Sequence, residues 1–402
     1  MFMPALNPEI FEWARKTAGL SLDEAAHAID LKEARGVSAR ERLAAFETGK
    51  DEPSRPLLLR MAKAYRRSLL VFYLERPPRI GDRGKDFRTL PGGEPPLYNP
   101  VLDALIRDIT ARQSVIRELL KESEAEPLPF VGSATMDIAV PALAERIARQ
   151  IGFDLGEFRH KDSVDDAFGY LRFKVEDAGI FVLLLGNLGS HHTNIAVDTF
   201  RGFAMADAIA PIAIINDNDA KSAWSFTALH EVVHLWLGDT GVSGWATELA
   251  AERYCSDVAA EILLPHGELD ELARIGRLPF DKVFEAVSKF AGKRKISRAM
   301  VAYRVFRNGL IGHKTWGELK ERFRQDWLVH KERETLKQAN REGGPSYYVV
   351  RRHRIGRALL DLAQRSLGEG QLTYTKAGQI LGVRARNVEP LLAVESPRRG
   401  SK

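Results

Sequence analysis

The chain has 402 residues, of which 45% are apolar and 28% are charged. This composition excludes wholesale disorder and allows several domains. The single cysteine, Cys255, excludes an internal disulfide framework and a cysteine-rich zinc finger. The longest apolar stretches, such as Ile180–Leu185, are too short to span a bilayer, and the N-terminus has no apolar signal segment. We therefore expect a cytoplasmic protein without membrane contact.

The net charge of +5 is unevenly distributed along the chain. Residues 341–402 contain twelve Lys or Arg and five Asp or Glu, a balance of +7, so the remaining residues sum to −2. A basic tail on a near-neutral body is typical of binding to nucleic acid or to an acidic protein. A solvated helical tail is the alternative, and charge alone favours neither.

The first 76 residues are predicted to form a compact helical domain. Pro8 can occupy the first turn of a helix. Ser21 and Glu24 form a capping box that opens a second helix, and Ser38 caps a third. Short helices at this spacing indicate a helix-turn-helix bundle for residues 1–76.

The next two segments differ in character. Residues 77–129 combine a stretch rich in Pro and Gly with an amphipathic helix from about Pro100 to Lys121. Residues 130–275 combine helices with β-like runs, which predicts an α+β unit. The helices are expected at Ala142–Ile151, Val164–Ala178, 223–237 and 245–263, and the β-like runs at Ile180–Leu185, Ile195–Val197 and Ile209–Ile215.

The remainder of the chain is expected to be mostly helical. Two segments are distinguished here, 276–340 and 341–402. Within them, residues 283–310 and 373–392 each resemble a small helix-turn-helix.

The most specific motif is His-Glu-x-x-His, inside the apolar stretch Ala228–Trp236. Histidines four positions apart lie one turn apart on the same face of a helix, so both His230 and His234 can reach one cation. Glu231 between them can take a proton from water next to that cation. The motif therefore predicts a metal centre.

Zinc in a hydrolytic site needs a third protein ligand. Glu248, Glu252 and Glu261 follow in the next predicted helix, in the sequence GWATELAAERYCSDVAAEILLP. Their spacing from His234 does not decide among them.

The runs SFTALHEVVHLWLGD and ATELAAERYCSDVAAEILLP resemble the ImmA/IrrE family of bacterial metallopeptidases. In that family the ligand glutamate, counted back from the residue equivalent to Pro265, falls on Glu252. The resemblance implies a zincin-like core with His230, His234 and Glu252 as metal ligands and Glu231 as general base. Zn²⁺ is the expected cofactor, although Mn²⁺ or Fe²⁺ could bind the same ligands. Cys255 and Ser256 stand where the family usually has Ala-Asn.

The group that stabilises the oxyanion is left open by the sequence. Candidates are Tyr254, His266, His191 and His192. Cys255, one turn beyond Glu252, could approach the metal, but a buried side chain between two helices is the expected role.

The N-terminal segment resembles an Xre-type helix-turn-helix module. The residues that carry this resemblance are Trp13-Ala14-Arg15, Gly19-Leu20-Ser21, Glu24-Ala25-Ala26, Phe46-Glu47-Thr48-Gly49 and Pro53-Ser54. The resemblance implies that Arg40 and Arg42, on the third helix, contact DNA. The stretch 30–37 makes the turn longer than usual, so a protein-docking or structural role remains an alternative.

The sequence thus predicts a mainly α protein with an α+β zincin-like metallopeptidase core. The resemblance implies cleavage of a regulatory protein, such as a repressor or a toxin–antitoxin partner. An alternative is an antitoxin or transcriptional regulator that binds a cognate toxin or operator DNA, with a structural or conditionally active metal site. A homodimer is compatible with either function.

Overall fold

The computed structural model describes residues 6–78, 99–189, 193–238, 245–339 and 346–393, with the side chains of 245–249, 334, 335 and 337–339 excepted. The Pro- and Gly-rich stretch expected within 77–129 lies almost entirely outside these ranges. The described chain is mainly helical and contains a small three-stranded mixed sheet. Among the described residues, no helix combines the length and apolar character needed to cross a bilayer.

The chain divides into two compact units, one formed by residues 1–86 and 95–109 and the other by 87–94 and 110–402. The first unit contains four short helices and a 3₁₀ turn at Leu69–Tyr73. The helices are α1 (Pro8–Thr17), α2 (Leu22–Ala28), α3 (Ala39–Glu47) and α4 (Arg55–Tyr65). Helix α5 (Pro100–Glu122) contributes its first residues to this unit and the rest to the second.

The predicted start signals of these helices are confirmed. Pro8 lies in the first turn of α1, where its missing N–H costs no hydrogen bond. The side chains of Ser21 and Ser38 each accept a hydrogen bond from the backbone of the third helical residue, and a glutamate completes a capping box in both cases. The connection from α2 to α3 is long, as expected, and includes a bridge between Ala34 and Val37.

The second unit contains α6 (Val140–Gln150), α7 (Leu155–Arg159), α8 (Val164–Asp177), α9 (Lys221–Leu237) and α10 (Trp245–Leu263). It continues through α11 (Phe280–Lys293), α12 (Arg298–Arg307) and α13 (His313–Ala339). The last helices are α14 (Tyr347–Ile355), α15 (Arg357–Gly368), α16 (Tyr374–Leu381) and α17 (Val388–Ala393). One apolar core, whose members run from Phe130 to Phe323, joins residues on both sides of position 275.

The sheet consists of β1 (Phe181–Leu184), β2 (Gly202–Met205) and β3 (Ile212–Ile215) in the order β1-β3-β2. Strand β3 pairs in parallel with β1 and antiparallel with β2, with Gly202 opposite Ile215. Strands β1 and β3 lie within predicted β-like runs. The prediction of a strand at Ile195–Val197 is wrong. The Ile195 N–H donates to the Gly186 carbonyl, and the Ile195 carbonyl accepts hydrogen bonds from the side-chain amides of Asn216 and Asn218.

Helix α9 packs against β2 and β3 and against α8, α10 and α12. Its C-terminal end is capped from an earlier segment, since the Gly132 and Ala134 N–H groups donate to the Leu235 and Trp236 carbonyls. The Phe130 ring also stacks on Trp236, with ring centroids 4.2 Å apart. These contacts fix the helical turn that carries His234.

Candidate metal centre

The two histidines of the motif face each other across one turn of α9. Their Nε2 atoms are 3.1 Å apart, and the side chains of His230 and His234 are 14% and 13% exposed. Both rings are therefore shielded on most sides but still open to solvent. The predicted arrangement on one helical face is confirmed.

Helix α10 brings Glu252 to the same point. Its Oε2 lies 3.1 Å from His230 Nε2, and its Oε1 lies 3.3 Å from His234 Nε2. Burial by itself raises the pKa of the Glu252 carboxyl, but hydrogen bonds from the two histidines outweigh it and lower the pKa well below its usual range. The structure thus brings His230, His234 and Glu252 together.

The donor set fits a divalent metal ion. One atom from each of the three side chains can be chosen so that all lie within 4.8 Å of one another. Tetrahedral zinc with bonds of about 2.0–2.1 Å places neighbouring ligands about 3.3 Å apart, close to the separations of 3.1 and 3.3 Å found here. Two imidazoles and one carboxylate suit zinc, and they also suit manganese or iron.

Glu231 lies on the buried side of α9, beside these ligands, and is 5% exposed. Burial raises the pKa of its carboxyl to about 7, although the neighbouring positive charge of His230 and His234 opposes the rise. A carboxylate with a pKa near neutrality can both take and return a proton. A bound cation would add positive charge nearby and lower this pKa.

Strand β2 lies close to the Glu231 side chain at Gly202. A Cβ at position 202 would lie 2.6 Å from Glu231 Oε1 and 2.9 Å from the Ile214 carbonyl oxygen. Only glycine therefore leaves room for the carboxylate in this position. The sequence does not single out Gly202 within the run Arg201–Phe203, because Glu231 and Ile214 become its neighbours only in the folded chain.

Two residues that follow Glu252 on α10 contact the outer sides of the histidine rings. Ser256 Oγ lies 3.3 Å from His230 Nδ1, and the Cys255 thiol hydrogen-bonds the His234 side chain. With Nε2 directed at a metal, the proton of His230 resides on Nδ1, which then donates to the Ser256 hydroxyl. The fully buried Cys255 thus packs behind a ligand, as expected, and the contact of Ser256 was not foreseen.

The other two glutamates considered as ligands have different outcomes. Glu261 accepts a hydrogen bond from the His266 N–H and forms an ion pair with Arg304. Glu261 therefore binds other residues than the two histidines, and it is wrong as a candidate for the third metal ligand. The side chain of Glu248 lies outside the described residues.

The structure narrows the candidates for oxyanion stabilisation. The Tyr254 hydroxyl donates to the Ile138 carbonyl at 2.7 Å, so it is already used. His266 is exposed at the start of a 3₁₀ turn, beyond the end of α10. His191 and His192 lie outside the described residues.

The two predicted DNA-contacting residues lie on α3 of the first unit. Arg40 is 62% exposed and pairs with Asp23 at 3.1 Å, and Arg42 donates to the Lys32 carbonyl. Both contacts are at the surface, where ion pairs are weak. These arginines therefore remain accessible to a partner.

The arginines of the C-terminal segment have a different environment. They are Arg351, Arg352, Arg354 and Arg357. The sequence did not decide whether the basic residues of this segment bind nucleic acid, bind an acidic protein or are solvated. Arg351 and Arg352 donate to backbone carbonyls at the ends of α16 and α17. Arg354 pairs with Asp217 at 2.6 Å, and Arg357 pairs with Asp177. Three of these arginines thus bind groups within the fold, and Arg357 forms an exposed ion pair.

No protein-family model, curated protein or solved structure matches this chain.

Proposed function

We propose that the chain is a metal-dependent endopeptidase of the ImmA/IrrE type with a zincin-like core. The observation that carries this proposal is the convergence of His230, His234 and Glu252 next to the buried carboxylate of Glu231. Structural zinc sites usually have four protein ligands, whereas hydrolytic sites have three and a position open to solvent. Within the described residues, three candidate ligands converge beside a carboxylate, and this arrangement favours a hydrolytic site.

The three ligands would hold the cation, which supplies Lewis-acid chemistry by polarising a carbonyl and acidifying water. Glu231 acts as the general base by accepting a proton from water on its carboxylate. It then donates this proton to the leaving amine of the cleaved peptide. The close approach of β2 at Gly202 keeps the carboxylate oriented for both transfers.

The substrate that we propose is a regulatory protein, such as a repressor or a toxin–antitoxin partner. Support comes from the first unit, whose capped short helices, exposed Arg40 and half-buried Arg42 suit an Xre-type helix-turn-helix module. Such a module would bring the peptidase to proteins bound at the same DNA.

The second candidate is an antitoxin or transcriptional regulator that acts by binding alone. The accessible arginines of α3 favour it, because they suit contact with phosphates whether or not the metal site cleaves anything. In this case Glu231→Gln would leave every function of the protein intact.

The test compares the wild type with Glu231→Gln and His234→Ala, each loaded with zinc and incubated with a proteome, followed by sequencing of new N-termini. We expect one zinc per chain in the wild type and Glu231→Gln, none in His234→Ala, and cleavage by the wild type alone. Glu145→Gln, an exposed carboxylate on α6, is the matched control and should cleave normally. Cleavage that persists in Glu231→Gln would contradict the proposal.

A further inference from the structure

Helices α16 and α17 pack together through a small apolar core. Ala377 and Leu381 from α16 and Val388 and Leu391 from α17 are all fully buried. A short connection joins the two helices and includes one 3₁₀ turn at Ala385–Asn387. Two short helices packed in this way form the basic unit of a helix-turn-helix.

Two glycines allow this tight connection. A Cβ on Gly378 would lie 2.8 Å from the Val383 carbonyl oxygen and 3.1 Å from the Ala385 nitrogen, so the connection crosses α16 where no side chain fits. Gly382 ends α16 in the left-handed region at φ +62°, a conformation that glycine adopts without strain. The turn of this segment is therefore specified by its own residues.

Helix α14 holds the pair in place. Arg351 donates to the carbonyls of Leu381 and Gly382, where α16 ends, and Arg352 donates to the carbonyl of Leu391 in α17. Arg351 is 8% exposed, so its guanidinium serves this internal role. The outer surface of the two helices is thus presented on a fixed support.

That outer surface is basic. Lys376 on α16 and Arg384 and Arg386 in the connection are exposed, and within the described residues none of them has an ion-pair partner. Tyr374 is 52% exposed at the start of α16. Glu389 is the only acidic residue of the sequence from 374 to 393.

We propose that residues 374–393 are a helix-turn-helix that binds duplex DNA through Lys376, Arg384 and Arg386. In this motif the first helix crosses the phosphate backbone while the second helix lies in the major groove, with its N-terminal residues at the base edges. Exposed lysine and arginine at these positions provide the contacts to phosphates and base edges. This site is separate from Arg40 and Arg42, and it does not depend on the metal centre.

The experiment measures binding of the full-length protein to a labelled duplex of mixed sequence by fluorescence anisotropy across a range of salt concentrations. The variant carries Lys376→Gln, Arg384→Gln and Arg386→Gln together. At about 0.1 M salt we expect its affinity to fall roughly tenfold for each phosphate that is no longer neutralised, with a shallower dependence on salt. Circular dichroism should show an unchanged fold, because all three side chains are exposed.

Two variants control for charge and for the other unit. Arg365→Gln removes an exposed arginine from α15, outside the proposed module, and should bind normally. Arg40→Gln with Arg42→Gln should leave the effect of the triple variant in place. The proposal is overturned if the triple variant binds as tightly as the wild type, if Arg365→Gln weakens binding as much, or if single-stranded DNA competes as well as duplex. Glu231→Gln should bind DNA normally, so a failure of the peptidase proposal would not affect this result.

Discussion

Gly202 is a residue at which the fold closely constrains Glu231, the proposed general base. We expect Gly202→Ala to displace Glu231, because the added methyl group would lie 2.6 Å from Glu231 Oε1. A displacement of about 1 Å at a catalytic group costs roughly 10²-fold in rate. Peptide cleavage should therefore fall by about that factor while zinc binding, measured by elemental analysis, stays at one ion per chain.

The matched control for this substitution is Gly169→Ala on α8, where a Cβ would meet nothing within 4 Å. It should leave both cleavage and zinc binding unchanged. If Gly202→Ala cleaved as fast as the wild type, the close approach of β2 would have no catalytic role.

At this scale the sequence predicted which side chains converge better than it predicted the contacts that support them. His230 and His234 follow from the spacing of the motif, because one helical turn places both rings on the same face. Glu252 could not be chosen over Glu248 and Glu261 by spacing, and only the family resemblance selected it. The contact of Ser256 with His230 could not be predicted, since it depends on how α9 and α10 pack.

One buried ion pair in α8 contributes to the attachment of the C-terminal helices. Arg172 pairs with Glu176 at 3.0 Å and also donates to the carbonyls of His353 and Arg354, while Glu176 accepts from the N–H groups of Arg357 and Ala358. Both charged side chains are less than a tenth exposed. Removal of one partner leaves the other charge buried without compensation.

We therefore expect Glu176→Gln to lower the free energy of unfolding by about 3–5 kcal/mol, measured by urea denaturation. The matched control is Glu145→Gln, which breaks an ion pair of the same spacing with Arg149 on α6, where both side chains are more than 70% exposed. An exposed pair contributes little, so the control should change stability by less than about 0.5 kcal/mol. Equal effects of the two substitutions would show that burial is not what makes the first pair important.

Helices were easier to predict from the sequence than strands. Capping serines and amphipathic spacing placed α2, α3 and α5 within a few residues, because those signals are local. Strand β2 was missed because Gly202–Met205 has no alternation of polar and apolar residues and is buried along most of its length. Ile195–Val197 has β-branched residues, but the Ile195 carbonyl accepts hydrogen bonds from side-chain amides and not from a neighbouring strand. These contacts depend on the tertiary structure, so local β propensity does not predict them.

For the whole molecule, the sequence shows where the basic residues lie along the chain, but it does not show which of them form internal contacts and which face solvent. The basic C-terminal segment invites a reading as one extended binding surface. In the folded chain, however, Arg351 and Arg352 satisfy helix ends, and Arg354 pairs with Asp217 next to the sheet. The sequence cannot separate these internal arginines from exposed ones such as Arg365, since both kinds lie on short helical segments.

The division into two units predicts which helices are stabilised when a metal ion binds. The three proposed ligands all lie in the second unit, on α9 and α10. A ligand that binds only the folded state stabilises it by about 2.7 kcal/mol when its free concentration is 100 times Kd. Zinc should therefore slow amide hydrogen exchange in α9 and α10, measured by mass spectrometry, and leave α1 to α4 of the first unit unchanged.

The same measurement on two histidine variants separates specific from incidental zinc. His234→Ala removes a ligand and should abolish the added protection, because two remaining ligands bind zinc weakly. His266→Ala removes an exposed histidine outside the site and should respond to zinc as the wild type does. Protection that spread equally over α1 to α4, or that survived in His234→Ala, would mean that zinc acts elsewhere on the chain and that the three converging side chains do not form its site.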